Sequence, residues 1–235
     1  MTKISRSKLE LSIDCPQCFW LDLKRRVGRP PGFPFTLNNA VDHLLKEEFD
    51  GYREKGKPHP VMEKFRIEAV PFQHEKLNQW RHNFTGVQHE HKPTDFLVYG
   101  AVDDLWVDPD GRISVVDYKA TGAKEYKIHD SYRRQMEIYQ WLLRRNGLEV
   151  SPTGYFVFAQ ADKAKGFGDG AAALAFELFV EPLIGDDSWV EQALFSARKM
   201  LDRDAAPDAA PDCEYCNYRR AAGEADLAKK ASRMV

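Results

Sequence analysis

Four residues, Asp108-Pro109-Asp110-Gly111, constrain this chain more than any others, because they separate two apolar runs, Phe96–Val107 and Ile113–Tyr118. A turn-forming tetrad between such runs predicts a β-hairpin. Pro109 presets φ at the first corner of a type I turn, and Gly111 can take the left-handed position that follows. The expected loop has three residues with a bulge at Gly111, which pairs Asp108 with Arg112. Counting outward in that register places Asp103 opposite Asp117. A two-residue loop would put Asp117 opposite Val102 and send the two carboxylates to different faces. Lys119, two residues beyond Asp117, shares its face. Two carboxylates and an ammonium group therefore converge. Like charges this close repel unless a cation lies between them, and carboxylate oxygens suit Mg²⁺ or Mn²⁺.

The 235 residues are enough for one domain spanning 1–235 with a substantial core, and 43% hydrophobic with 30% charged residues is an ordinary balance for a globular protein. A net charge of −2 gives no global attraction to nucleic acid, so any such binding rests on local basic groups. Those groups are Lys24-Arg25-Arg26 with Arg29, Arg133-Arg134, Arg144-Arg145 and Arg219-Arg220. Met1–Leu11 is charged throughout and lacks the apolar centre of a secretory signal. No apolar run approaches the ~20 residues needed to cross a bilayer. The expected location is cytoplasmic, with no membrane partner.

Along the chain, Pro16 is expected to start a helix near Cys15 that buries Phe19 and Leu23. Arg29–Pro34 reads as a loop. Thr36 opens a helix to about Asp50, with Leu37, Val41, Leu44 and Leu45 as its buried stripe and His43 at the stripe's edge. Val61–Pro71 is expected as a strand, Glu75–Phe84 as a short helix, and His82–Pro93, with His89 and His91, as an exposed loop. Tyr132–Arg145 is an amphipathic helix stopped by Asn146-Gly147, on which Gln135 and Tyr139 stand one turn apart. Strands at Thr153–Ala159 and Ala173–Val180 flank a Gly-rich loop, Lys163–Gly170, too irregular for a phosphate cradle. Ser188 and Glu191 open a helix to Leu201, Ala205–Pro211 is a linker, and 221–235 is expected to be a mobile, charged helical tail.

All four cysteines fall into two Cys-x-x-Cys pairs, Cys15/Cys18 and Cys213/Cys216. A pair at this spacing can chelate a soft metal through both thiolates, act as a redox dithiol, or simply pack. Two pairs with none left over favour one shared four-thiolate site, formed by segments 1–35 and 205–220. A thioredoxin-like role for Cys15 and Cys18 would need a strand before the motif, and none is expected there.

Gly100-x-x-Asp103, Asp117-Tyr118-Lys119 and Gln135-x-x-x-Tyr139 resemble the ordered motifs of the PD-(D/E)XK nuclease superfamily, above all its RecB-like branch, which includes the CRISPR-associated iron–sulfur exonucleases. An isolated Asp-x-Lys is as readily a surface ion pair. The hairpin between the acids and the helix after the lysine make the set specific. The resemblance implies an α/β fold, a restriction-endonuclease-like mixed sheet flanked by helices in the order α(His43)–β–β–β–α(Gln135)–β. It also implies a metal-dependent DNA nuclease, an exonuclease on single-stranded or free-ended DNA. Asp103, Asp117, the Tyr118 carbonyl and His43 would hold Mg²⁺ or Mn²⁺. Lys119 would orient the attacking water, Gln135 and Tyr139 would position the strand, and Arg133 or Arg134 would meet phosphate. Protein partners in DNA repair, recombination or CRISPR adaptation would follow. Cys15-Pro16-x-x-Phe19 resembles the first-cysteine signature of the iron–sulfur nucleases, implying a [4Fe–4S] cluster. The chain departs from that pattern, with an extra Cys18 and no third cysteine after Cys216, and the two-plus-two spacing also suits Zn²⁺. The competing expectation is a catalytically silent module of the same fold that binds nucleic acid or protein.

Overall fold

The computed structural model describes residues 1–32, 36–123, 125, 127–164 and 172–232. In chain order the elements are β1 (Thr2–Ser5), α1 (Arg6–Asp14), α2 (Pro16–Arg25), α3 (Thr36–Arg53), α4 (Pro60–Lys64), β2 (Val70–Pro71), α5 (Leu77–Trp80), β3 (Val87–His91), β4 (Phe96–Gly100), β5 (Asp104–Val107), β6 (Ile113–Thr121), α6 (Asp130–Arg145), β7 (Thr153–Ala161), β8 (Phe176–Ile184), α7 (Val190–Leu201) and α8 (Glu214–Ser232). The chain divides into two compact units, Met1–Arg6 with Phe33–Val190, and Ser7–Gly32 with Glu191–Val235. No helix among the described residues is long and apolar enough to cross a membrane.

The hairpin organises the first unit. Gly111 takes φ +86°, Gly111 N–H donates to the Asp108 carbonyl (3.0 Å), and Asp108 N–H donates to the Arg112 carbonyl (3.1 Å). The Asp108 carboxylate accepts from the N–H groups of Asp110 and Arg112, closing the turn from its side chain. The pairs then run from Val107 with Ile113 to Asp104 with Val116, the expected three-residue-loop register, and its next step sets Asp103 beside Asp117.

β5 and β6 lie within a five-stranded sheet of order β2-β5-β6-β7-β8, in which β6 and β7 are parallel and joined through α6. Its succession α3, β2, β5, β6, α6, β7 is the mixed core expected. On one side α3 and α4 bury Val41, Leu45, Phe49, Val61 and Met62 against Trp106, Val116, Tyr118, Val157 and Val180. A second sheet, β1-β4-β3, pairs β1 parallel to β4 and β3 antiparallel to it.

Several local expectations are corrected. The run Phe96–Val107 is not one strand: it breaks at Ala101–Asp103, giving β4 to one sheet and β5 to the other. Val61–Pro71 is mostly not a strand, because Pro60 starts α4 and the His59 ring caps it by accepting from Val61 N–H (3.0 Å). Only Val70–Pro71 pairs, at the sheet's edge, where proline is tolerated. In the segment His82–Pro93 the expected exposed loop is found only over His82–Phe84. Val87–His91 pairs with β4 along its whole length: half-buried His89 stands edge-on to Trp141, and buried His91 binds Thr94 Oγ1 (2.7 Å). On α3 the buried line is Val41, Leu45, Phe49 and Arg53, at four-residue spacing. Leu44 lies about 100° from Leu45 and Leu37 sits in the first turn, before burial begins, so both are exposed.

The second unit comprises α2, α8 and most of α1 and α7. Cys15 stands at the N-cap of α2 with Pro16 in its first turn, and α2 buries Cys18, Phe19 and Trp20; Leu23 is only half-buried. Trp20 Nε1 donates to the Arg203 carbonyl and Gln17 Nε2 to that of Pro207, joining the unit's two chain segments. The helix expected in the tail is the end of α8. Residues 233–235 lie outside the described residues, as do 165–170 of the Gly-rich loop and 33–34 of the proline loop.

Candidate active site and cysteine centre

β6 and α6 bring Asp117, Lys119, Gln135 and Tyr139 together. The Asp117 side chain is 0% exposed, and its Oδ1 accepts from Gln135 Nε2 at 2.6 Å. The same amide lies 3.3 Å from the Tyr139 hydroxyl, which also bonds Arg6. Gly100 makes room for that tyrosine: a Cβ there would stand 2.6 Å from Tyr139 Cε1. Asp117 Oδ2 is in ion contact with the Lys119 ammonium but receives no hydrogen bond of good direction. Lys119 Nζ also lies 4.6 Å from the centre of the Tyr132 ring. Gln135 and Tyr139 are both buried, Gln135 bonding Asp117 and Tyr139 bonding Gln135.

Asp103, the residue immediately before β5, completes the pair. Its Oδ2 accepts from the Tyr118 N–H at 3.0 Å and its Oδ1 faces Lys46 Nζ at 3.3 Å. Lys46 also donates to Asp42 at 2.7 Å, so α3 presents Asp42 and Lys46 here. His43, one residue on, is 70% exposed with Nε2 3.4 Å from Glu47. Arg81 Nε donates to the Asp103 carbonyl at 2.9 Å. Sequence reasoning missed Asp42, Lys46, Arg6 and Arg81. The four-residue spacing of Asp42 and Lys46 was a readable pair, whereas Arg6 and Arg81 carry no local signal.

Burial, then the negative charge of Asp103, raise the Asp117 pKa to about 7, although Lys119 draws it down. Burial and Asp103 raise Asp42 likewise. Burial opposes the charge on Lys119, but Asp117 and Asp103 outweigh it and raise the ammonium's pKa. Burial and mutual repulsion thus disfavour the ionised carboxylates, and additional positive charge beside them would be stabilising. A buried carboxylate next to a second carboxylate, with an ammonium group beside them, is a donor set that fits a hard divalent cation.

Beneath this cluster Asp104, fully buried, gathers the Arg53 guanidinium, Arg81 Nη2 (2.9 Å) and the Tyr118 hydroxyl (2.7 Å). Asp50 joins both arginines. The network fixes the backbone on each side of the Asp103–Asp117 pair.

In the second unit the four cysteines meet as free thiols, all buried. Their sulfurs lie within 4.8 Å of one another, a group that could hold a metal ion. Leu11, Ala209 and Ala210 pack around them. The two Cys-x-x-Cys pairs are therefore brought together, as a shared site requires. Of the basic groups, Arg144 is engaged with Asp187, Arg219 with Gln17 and Arg220 with Asn217, while Arg133 reaches the Ile184 carbonyl at 3.5 Å.

A family model described as the PD-(D/E)XK nuclease superfamily matches residues 23–221. No curated protein matches the chain. Among solved structures it is similar to an alkaline exonuclease (LHK-Exo) from Laribacter hongkongensis, at 11% identity and TM-score 0.43, covering 99% of this chain and 95% of that one. It is also similar to SSO0001, at 14% identity and TM-score 0.42, covering 92% of this chain and 83% of that one.

Proposed function

This chain belongs to the PD-(D/E)XK nuclease superfamily, and we propose that it hydrolyses the phosphodiester bonds of DNA with the aid of Mg²⁺ or Mn²⁺, acting on single-stranded or free-ended substrate. The observation that carries this reading is the fully buried Asp117 carboxylate beside Asp103, with Gln135 on its Oδ1 and the Lys119 ammonium against its Oδ2. Asp103, Asp117 and the Tyr118 carbonyl would hold the divalent ion, with His43 or, from its position at Lys46, Asp42 as the α3 ligand. When bound, such an ion neutralises developing charge on phosphoryl oxygens and acidifies water. Lys119 would donate to the attacking water and to the phosphoryl oxygens on which negative charge develops. Gln135 keeps one Asp117 oxygen occupied, leaving the other, now against Lys119, as the one that would meet the cation. In this reading Gln135 and Tyr139 act through Asp117. The preference for ends rests on the resemblance of the ordered motifs to RecB-like nucleases, and phosphate contacts by Arg133 or Arg134 belong to the same proposal. Four free thiols suit a reducing, cytoplasmic setting.

The test is cleavage of end-labelled single-stranded DNA in Mn²⁺. Asp117→Asn and Lys119→Ala should each lose about 10²–10³-fold or more in rate while keeping the circular dichroism of the parent. Parental rates in both variants would defeat the assignment.

A further inference from the structure

We propose that the cysteine quartet binds one tetrahedral metal ion, zinc, and not the [4Fe–4S] cluster that the resemblance of Cys15-Pro16-x-x-Phe19 implies. The inference is independent of the nuclease reading, since it uses only residues of the second unit.

The sulfur positions carry it. Cys18 Sγ lies 3.5 Å from Cys216 Sγ and 3.6 Å from Cys213 Sγ, and Cys15 Sγ lies 3.8 Å from Cys216 Sγ. Four thiolates on a single zinc, each with a bond of about 2.3 Å, stand about 3.8 Å apart along the edges of a tetrahedron. In a [4Fe–4S] cubane each thiolate binds a different iron, and a body of four irons and four sulfides separates them. A quartet whose ligand atoms all fall within 4.8 Å encloses room for an ion and not for that body. Leu11, Ala209 and Ala210 pack against the same four cysteines.

The arrangement of the chain agrees with a mononuclear site. Each Cys-x-x-Cys pair lies at a helix start: Cys15 caps α2 with Cys18 in its first turns, and Cys213 immediately precedes α8, which holds Cys216. Helix N-termini favour thiolates. Zn²⁺ with four thiolates carries two net negative charges, and Arg29 is placed to offset one. Its Nη2 donates to Cys213 Sγ at 3.3 Å, its Nη1 pairs with Asp14 at 2.5 Å, and its plane lies 4.7 Å from the Tyr215 ring centre. Such contacts around the ligands orient a metal site. With four protein ligands the tetrahedron is closed, so the ion is structural and has no position for a reacting water.

The full-length protein, purified without oxygen from cells supplied with both iron and zinc, decides the matter. Elemental analysis should find about one zinc per chain and no acid-labile sulfide, in a colourless sample. Replacing the metal with Co²⁺ should give the intense red-region bands of a tetrahedral cobalt thiolate. Asp117→Asn should retain the zinc, which separates this site from the carboxylates. Modifying the thiols with a mercurial should release one zinc as four thiols react, a reading that needs no cysteine variant to fold. Iron and inorganic sulfide in equal amount at about four per chain, in a brown protein, would overturn the proposal. So would four thiols that react freely without releasing metal, or zinc that disappears in Asp117→Asn.

Discussion

Asp117 is held in a position that disfavours its charged form, and that is the feature on which the chemistry proposed for it rests. Burial and Asp103 raise its pKa to about 7, against about 3.9 for a free aspartate. Between those values the metal-free native state binds more protons than the unfolded chain, so the contribution of Asp117 to stability falls as pH rises and the cost is complete above about 7. In the absence of divalent ions, Asp117→Asn should therefore be most favourable relative to the parent near pH 8, with its relative melting temperature falling steadily toward pH 4. A difference that does not vary with pH would mean that the carboxyl is not raised. The α3 ligand can be resolved at the same scale. Asp42 is tied through Lys46 to Asp103, while His43 is exposed beside Glu47. Asp42→Asn should raise the Mn²⁺ concentration needed for half-maximal cleavage about tenfold, and His43→Ala should raise it less; the reverse order would restore the ligand that the motif resemblance implies. The acids and the lysine were legible because one turn fixes their register. Arg6 and Arg81 reach the same cluster from remote segments, and nothing local in their neighbourhoods announces it.

Elements were legible where local chemistry dictated them and opaque where pairing did. The Asp108–Arg112 turn states its own geometry, and α6 follows from its periodicity and its Asn-Gly stop. β3 has a single aliphatic residue and forms because β4 offers it a complete ladder, information held in another part of the chain. The Asp104 network is of the same kind, since an adjacent Asp103-Asp104 pair gives no hint that one serves the site and the other the core. Arg53 and Arg81 have side chains only 4% and 9% exposed, and both depend on Asp104 for compensation. Asp104→Ala leaves buried cationic charge without its partner, which costs about 3–5 kcal/mol. Urea denaturation should show that loss, and a change under 1 kcal/mol would mean that Asp50 alone suffices. The turn can be tested more gently. Gly111→Ala, at φ +86°, should cost about 1–2 kcal/mol without changing the register, and a retained rate in Mn²⁺ would confirm that only the loop is strained.

At the scale of the whole molecule, the cysteine centre binds residues separated by most of the sequence. Cys18 and Cys213 are 195 residues apart, and the second unit is assembled from two chain segments at either end of the first unit's long one. Closing so long a loop removes unfolded-state entropy worth about 5 kcal/mol in the chain-entropy view of a covalent link, and a metal clamp acts in the same way. At a few degrees per kcal/mol for a chain of this size, stripping the metal should lower the melting temperature on the order of 10 °C. Because the carboxylates and the thiolates prefer different ions, Mg²⁺ should not reverse that loss, whereas the native thiolate metal should. Hydrogen exchange locates the effect. Amides of α2 and α8 should lose protection when a strong chelator removes the ion, while those of β5, β6 and β7 keep theirs. Equal loss across both units would show that the clamp stabilises the entire chain as one cooperative body, and no loss in α2 and α8 would show that their packing, through Trp20 and Gln17, suffices without it.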